Sequence, residues 1–314
     1  MESTPAHPLA ESVLAFDVGG TDIKAALQDG AGVFHSLLRV PTPRGAAGTG
    51  ETIVREVSGL ARRYARHYPH ATVRALGFVV PGLVDEQAGI GVVAANLGWR
   101  DFPFALRLRE ENPLLPVAFG HDVGLAGEAE MRFGAGTGLR DAVVLVIGTG
   151  IAGAVFCDGR RVRGGGFAGE IGHSPVPSGT ACACGAYGCL ETVASAGAIV
   201  RRYNHLTGAG VSGAEAVLRA AQTGDPDAKE VWDQAVEALA QGICQLAAVL
   251  GTEAVILGGG LSQAGAALTE PLTRAVDARM SFHRRPEIRV SLLGQNAGLM
   301  GAALHARDLA GGTA

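Results

Sequence analysis

The chain has 314 residues, of which 47% are hydrophobic and 18% are charged, with a formal net charge of −4 at pH 7. These values predict a globular protein with ample material for a core and argue against a disordered chain. The negative charge argues against non-specific nucleic-acid binding, and the lack of a run of about 18 apolar residues argues against a membrane span.

The N-terminus and the cysteines indicate the compartment. The first twelve residues have no basic start followed by an apolar run, so no secretory signal is expected. Three of the five cysteines crowd into residues 182–189, a pattern that suits metal binding in a reducing environment better than disulfides. We therefore expect a cytoplasmic protein.

The first half of the chain alternates predicted strands and helices. Residues 13–28 form an apolar run, a glycine turn and a second apolar run, which predicts two strands. A helix is predicted over 50–68, since the apolar side chains there recur with helical spacing. Strands follow at 73–80 and 117–122, and a helix then runs to about Met131.

The second half repeats this plan. Residues 142–162 again predict strand, glycine turn, strand and an Asp-Gly turn, followed by a long helix at 227–250, a strand at 254–260 and a last helix around 298–309. This alternation indicates the α/β class. The two similar units indicate a duplicated architecture with a cleft between the halves. We predict a small lobe of residues 1–118 plus about 298–314, and a large lobe of 119–297.

Three glycine turns, at 17–21, 148–153 and 258–260, each follow an apolar strand. Glycine lets backbone N–H groups approach a phosphate closely. One such turn is weak evidence, but three of them, two with a threonine, favour phosphate binding. The second turn matches G-x-G-x-x-G, but a strand follows where a dinucleotide-binding fold needs a helix, so an NAD-dependent dehydrogenase is disfavoured.

A cluster of metal-ligand residues lies in a glycine-rich stretch with little apolar material. Cys182, Cys184, Cys189 and His173 form a set of three sulfurs and one nitrogen, which suits tetrahedral Zn²⁺. The spacing differs from that of common zinc fingers, so spacing alone leaves the site open. Four protein ligands would leave no position for water, which predicts a structural ion. That ion would order the loop that carries Glu170 and Glu191.

Six segments occur in the order known from one family: FDVGGTDIKAAL, GHD, VIGTGIAGAV, GGFAGEIGH, CACGAYGCLE and ILGGGLS. Together they resemble the ROK family of bacterial sugar kinases and related repressors. The resemblance implies an α/β, actin-like ATPase (ribonuclease H-like) fold with two lobes and a central cleft. It also implies ATP with Mg²⁺ as cofactor, a hexose as acceptor, and a homodimer.

The resemblance also implies roles for residues of this chain. Asp122 would accept the proton of the attacking hydroxyl, which in-line phosphoryl transfer to an alcohol requires; alternatively, it caps a helix beginning at Val123. Asp17 would orient magnesium-bound water. The sugar would be bound by Asn96, His121, Asp122, Glu170, His173 and Glu191. ATP would be bound by Asp17, Gly19, Gly20, Thr21, Lys24, Gly148, Thr149, Gly150, Gly258, Gly259 and Gly260.

One residue departs from the family pattern, because His121 stands where the family commonly has asparagine before the catalytic aspartate. An imidazole there leaves the acceptor open. We expect phosphorylation of the 6-hydroxyl of a hexose, with glucose favoured, and N-acetylmannosamine, kanosamine, mannose and fructose as alternatives. Polyphosphate could replace ATP. A sugar-responsive repressor is disfavoured, since about a dozen residues precede Val13, too few for a DNA-binding module.

Overall fold

The computed structural model describes residues 9–45 and 48–311. Residues 1–8, which include most of the stretch where no secretory signal is predicted, lie outside that description. The chain divides into two compact units, one formed by Met1–Ala129 with Asn296–Ala314 and the other by Glu130–Gln295. None of the helices among the described residues is long and apolar enough to cross a membrane.

The first unit is built on a five-stranded mixed sheet. Its strands are β1 (Ser12–Val18), β2 (Asp22–Gln28), β3 (Phe34–Pro41), β4 (Val73–Val80) and β8 (Val117–His121), in the order β3-β2-β1-β4-β8. The first three strands pair antiparallel, and β4 and β8 continue parallel to β1. A small antiparallel sheet is added by β5 (Leu83–Asp85), β6 (Ile90–Ala94) and β7 (Trp99–Phe102).

Strand β1 shows how this sheet is covered on both faces. Leu14 and Phe16 pack in a cluster with the apolar face of α1 (Thr49–His67), whereas Val13 and Ala15 pack with Ala302 of the last helix, α9 (Ala297–Ala310). This alternation follows from the period of two along a strand. Helices α2 (Phe104–Glu111) and α3 (Asp122–Phe133) complete the secondary structure before the second sheet. The helices predicted at 50–68 and 298–309 are thereby confirmed.

The second unit contains a sheet of the same design. Its strands are β9 (Ala142–Ile147), β10 (Ile151–Cys157), β11 (Arg160–Val162), β12 (Ala254–Gly258) and β13 (Glu287–Val290), in the order β11-β10-β9-β12-β13. Again three antiparallel strands are followed by two parallel ones. The repeated strand order confirms the duplicated architecture that the two strand–glycine–strand patterns predict.

Five helices belong to the second unit: α4 (Glu191–Ala194), α5 (Ala196–Thr207), α6 (Ala214–Gln222), α7 (Pro226–Leu250) and α8 (Ala266–Arg279). The long helix predicted at 227–250 is confirmed as α7. Asp225 accepts the backbone N–H of Ala228 at its start, and Gly251 ends it in the left-handed conformation. Val231 and Leu239 of α7 lie in one cluster with Val143 and Leu145 of β9.

The boundary between the units differs from the sequence prediction of 118/119. It falls after Ala129, so Asp122 belongs to the first unit rather than to the second. The cause is the pairing of β8 with β4: Val80 lies opposite His121, so the strand and the start of α3 stay with the first sheet. The sequence shows the apolar run of β8 but not the strand with which it pairs.

Candidate functional site

In the first unit, an ion pair between a buried aspartate and a half-buried lysine joins the two strands that flank the glycine turn between β1 and β2. Lys24 Nζ lies 3.1 Å from Asp17 Oδ2, across the paired strands. Burial raises the pKa of Asp17; the Lys24 charge opposes this increase, and the charge of Asp122 adds to it. The two carboxylates therefore lie close enough to influence each other. They occupy the carboxyl ends of strands in the same sheet, which is where ligands of such sheets bind.

The last helix, α9, also contributes to the surroundings of Asp17. Gly298 lies in the first turn of α9, close to Asp17. A Cβ at this position would come within 2.7 Å of Asp17 Oδ2. The N-terminal end of a helix favours a negative charge, so α9 helps to stabilise an ionised Asp17. No local pattern in the sequence indicates this contact, because 281 positions separate the two residues.

Asn96 lies against the same glycine turn. A Cβ on Gly20 would meet the amide Nδ2 of Asn96 at 3.1 Å. Arg44 links the two segments, since its guanidinium donates to the carbonyl oxygens of Asn96 and Gly20 at 3.0 and 3.2 Å. Thr42 adds a bond from Oγ1 to the carbonyl oxygen of Gly19 at 2.7 Å. Asn96 was predicted as a site residue from the sequence, whereas Arg44 and Thr42 were not, because they follow no recognisable motif.

Asp122 is the first residue of α3, one position earlier than the start predicted from the sequence. Its Oδ1 accepts the backbone N–H of Val123 at 2.7 Å and lies 3.3 Å from Nε2 of His121. Within residues 9–45 and 48–311, Oδ2 forms no hydrogen bond. One oxygen is thus held by the protein, and the other has its lone pairs available. The capping alternative is true in part, because Oδ1 does bond to the start of the helix.

In the second unit, the turn at 148–150 is bound by an acid from a distant segment. Glu191, the first residue of α4, accepts the backbone N–H of Ile151 on Oε2 at 2.8 Å. A Cβ on Gly150 would lie 2.4 Å from that oxygen, so a larger residue would displace the carboxylate of Glu191 from the turn. Glu191 was predicted to bind sugar; the structure places one of its oxygens on the glycine turn.

The turn at 258–260 packs against the same region. Gly259 has a φ of 79°, and a Cβ there would come within 2.4 Å of the carbonyl oxygen of Ile147, the last residue of β9. Only glycine meets both conditions. The structure therefore brings the second and third glycine turns together within one unit.

The cysteine cluster has the geometry of a metal centre. Ligand atoms of His173, Cys182, Cys184 and Cys189 all lie within 4.8 Å of one another. Sγ of Cys182 is 3.7 Å from Nδ1 of His173, and Sγ of Cys184 is 3.7 Å from Sγ of Cys189. Atoms bound to a tetrahedral Zn²⁺ at about 2.0–2.3 Å are separated by about 3.5–3.8 Å, so the cluster fits zinc.

The thiols differ in their readiness to ionise. Burial raises the pKa of Cys189 to about 12, whereas the backbone N–H of Ala186, followed by the Cys182 thiol, lowers the pKa of Cys184. Metal ligation requires thiolates, so an ion at this site must displace the proton of Cys189. The other ring nitrogen of His173, Nε2, lies 3.8 Å from Oε2 of Glu170. At that distance the two side chains form no hydrogen bond, but Glu170 faces the nitrogen through which a carboxylate fixes the ring of a metal-binding histidine.

Comparison with known proteins identifies the relatives of this chain. A sequence model of the ROK family matches residues 13–308. A glucokinase of Halalkalibacterium halodurans is 35% identical over 304 residues, covering 91% of this chain and 92% of the relative. An N-acetylmannosamine kinase of Escherichia fergusonii is 30% identical and covers 94% and 98%.

Two solved structures share the fold. The ROK hexokinase of Thermus thermophilus superposes with a TM-score of 0.81 at 34% identity, covering 94% of this chain and 97% of that one. A ROK glucokinase of Streptomyces griseus, solved with glucose and AMPPNP, has a TM-score of 0.78 at 31% identity and covers 95% and 99%. These similarities confirm the predicted fold class, the actin-like ATPase fold of ROK kinases.

Proposed function

The chain belongs to the ROK family, and on that premise we propose that it transfers the terminal phosphoryl group of ATP to the 6-hydroxyl of a hexose. Glucose is the favoured acceptor, because the glucokinase relative is 35% identical over nearly its whole length. The observation that carries the proposal is the carboxylate of Asp122, whose Oδ1 accepts the backbone N–H of Val123 and whose Oδ2 forms no bond among the described residues.

The first unit would supply the base and part of the phosphate site. Asp122 would take the proton of the sugar hydroxyl as it attacks, a contribution of about 10²–10⁴ in rate. Asp17 would orient water on Mg²⁺. The charge of Lys24, which pairs with Asp17, would also partly neutralise the phosphate charge. The backbone N–H groups of Gly20 and Thr21 would bind phosphate oxygens, in a turn that Gly19 closes by donating its own N–H to the carbonyl oxygen of Asp22. Asn96 would bind a sugar hydroxyl.

The second unit would supply the remaining nucleotide contacts. Thr149 would offer its hydroxyl and Gly150 its backbone N–H to phosphate. Gly148 would line the same site, although its own N–H donates to the carbonyl oxygen of Gly150, in a turn whose shape Glu191 fixes. The turn of Gly258, Gly259 and Gly260 would lie near the adenosine. Glu170, His173 and Glu191 are the sugar-binding residues expected in this unit.

Zn²⁺ would be held by His173, Cys182, Cys184 and Cys189, whose donor distances fit it. With four protein ligands the ion would be structural and would order a loop that has little apolar material. Binding through Nδ1 of His173 leaves the proton on Nε2, which faces Glu170. The metal would thus fix the orientation of two residues proposed to bind sugar.

An amino-sugar acceptor is the second candidate. It is favoured by the 30% identity to an N-acetylmannosamine kinase and by His121 at the position where the family commonly has asparagine. Kanosamine, mannose and fructose, and polyphosphate as donor, are further alternatives. A regulatory ROK protein without kinase activity is the most distant one.

A substrate panel tests the proposal. Purified protein is assayed with ATP and Mg²⁺ against glucose, mannose, fructose, N-acetylmannosamine and kanosamine, and with polyphosphate in place of ATP. We expect the highest kcat/KM for glucose with ATP. A higher value for an amino sugar would transfer the assignment to the second candidate, and no phosphorylated product from any pair would overturn the kinase assignment.

We also propose a cytoplasmic homodimer, as the family resemblance implies. The chain mass is 32.0 kDa, so sedimentation equilibrium should return twice that value. A single-chain mass at micromolar concentration would refute the dimer and leave the kinase proposal intact.

A further inference from the structure

The junction of β8 and α3 places a histidine in contact with the proposed base. His121 ends β8, and Asp122 begins α3. The Nδ1 atom of His121 accepts the backbone N–H of Gly124 at 3.1 Å, and its Nε2 atom lies 3.3 Å from Oδ1 of Asp122. We propose that His121 is a positioning residue, which donates its Nε2–H to Asp122 and aims the opposite carboxylate oxygen at the substrate. This inference rests on the proposed function.

The protonation of the ring follows from the first of these contacts. An imidazole nitrogen that accepts a hydrogen bond carries no proton, so Nδ1 of His121 is bare. The single proton of the neutral ring is then on Nε2, which faces Asp122 Oδ1. The helix cap therefore selects the tautomer that can donate to the carboxylate. The strand end itself is fixed, because the backbone N–H of His121 donates to Glu86 Oε1 at 3.0 Å.

The charges around Asp122 explain why a donor is useful there. Asp17 acts on Asp122 as a like charge within the same unit, and Lys24 forms an ion pair with Asp17 at 3.1 Å. The carboxylate of Glu86, which accepts the backbone N–H of His121, adds no positive charge there. The N–H of Val123 donates to Oδ1 of Asp122, and the Nε2–H of His121, with Nε2 3.3 Å from that oxygen, would be a second group that stabilises its negative charge.

Two substitutions of His121 separate its cap on Gly124 from its donor to Asp122, because each new side chain keeps only one of these functions. The amide oxygen of asparagine reaches the position of Nδ1 but not that of Nε2, so His121→Asn keeps the cap on Gly124 and loses the donor. Glutamine reaches the position of Nε2, so His121→Gln keeps a donor to Asp122 and loses the cap. The pair distinguishes a positioning role from a structural role.

The kinetic test uses the acceptor found by the substrate panel. For His121→Asn we expect kcat to fall on the order of ten-fold, with the KM for sugar changed less than about two-fold and the melting temperature unchanged. His121→Gln should recover most of kcat while melting at a lower temperature. A rise in the sugar KM at constant kcat in His121→Asn would instead make His121 a sugar contact and overturn the proposal.

A spectroscopic test needs no activity. In ¹⁵N-histidine-labelled protein, the resonances of His121 are assigned by their loss in His121→Asn. We expect the neutral tautomer with its proton on Nε2, and a shift of that resonance in Asp122→Asn. A proton on Nδ1, or no response to Asp122→Asn, would overturn the inference. Because this readout is independent of any substrate, failure of the kinase assignment and failure of the inference are distinguishable.

Discussion

The two units repeat one sheet design but assemble their charged groups in different ways. In the first unit, the glycine turn follows Asp17, and the partner Lys24 lies opposite it on the next strand. In the second unit, β9 ends in the apolar residues Val146 and Ile147, and the acid on the glycine turn, Glu191, comes from a helix forty positions away. The same fold thus uses a local ion pair in one unit and a long-range contact in the other.

This difference shows that the two copies of a duplicated fold can position their charged groups through different parts of the chain. The hairpin of the first unit carries its own charges, so its chemistry depends on two adjacent strands. The turn of the second unit depends on the segment 169–191, which the cysteine cluster would order.

Loss of one zinc ligand should affect the second unit most. Structural zinc contributes about 10–16 kcal/mol of apparent binding free energy in small peptides. For Cys184→Ser we expect zinc content to fall from one ion per chain towards none, and the melting temperature to fall on the order of 10 °C. Cys184 is exposed, so the serine itself costs little. Atomic absorption and calorimetry measure both quantities.

The matched control is Cys157→Ser, a half-buried cysteine outside the cluster. It should leave the zinc content at one ion per chain. Equal zinc content in Cys184→Ser and the parent protein would contradict a four-ligand site.

Removal of the base should abolish turnover without unfolding the first unit. For Asp122→Asn we expect kcat to fall by about 10²–10⁴, with little change in the KM for ATP. Stability should persist, because an amide oxygen can still accept the N–H of Val123. Steady-state kinetics and thermal melting measure the two effects.

The control for that variant is Asp158→Asn. Asp158 is an exposed turn residue with a φ of 53°, a conformation that asparagine tolerates. It should retain parental kinetics. If Asp122→Asn kept near-parental kcat, another group would have to accept the proton.

The sequence predicts local features of the fold and the site well. The helices at 50–68 and 227–250 follow from apolar periodicity, and the glycine turns follow from their position after apolar strands. The four-ligand cluster is predictable because three of its members, Cys182, Cys184 and Cys189, lie within eight positions. These features depend on short segments whose chemistry the order of residues displays directly.

Contacts between distant segments could not be predicted in this way. The bond from Glu191 to Ile151 and the approach of Gly298 to Asp17 depend on strand pairing and helix packing. The unit boundary was misplaced for the same reason. Periodicity identifies an element, but the element with which it pairs is decided by burial across the whole chain.

Removal of the Glu191 carboxylate should destabilise the glycine turn at 148–150. For Glu191→Ala we expect a loss of about 1–3 kcal/mol in the free energy of unfolding, because the N–H of Ile151 loses its acceptor. The KM for ATP should rise as the turn loosens. Glu191→Gln is the control, since its amide oxygen can still accept that bond and should retain most of the stability. Urea denaturation and kinetics measure both, and equal losses in the two variants would assign the effect to the charge instead.

Removal of the Lys24 charge should change the stability of the protein least, and by an amount that depends on pH. Burial raises the pKa of Asp17 in the folded protein from 3.8, so the folded state binds more protons than the unfolded state above that pH, and stability falls as pH rises through the interval. Lys24 opposes this increase. In Lys24→Met the pKa of Asp17 should rise further, so the loss of stability extends to higher pH.

The deficit of Lys24→Met relative to the parent protein should therefore be smallest at acid pH, where protonation removes the charge of Asp17, and reach about 1 kcal/mol near neutral pH. Lys229→Met is the control, because Lys229 is the only other lysine and pairs with Asp233 on the surface of α7. Its effect should be negligible at every pH. A deficit of Lys24→Met that stayed constant with pH would mean that Lys24 stabilises the first unit by packing rather than through the charge of Asp17, and the contrast between a local ion pair and a long-range acid would then no longer hold.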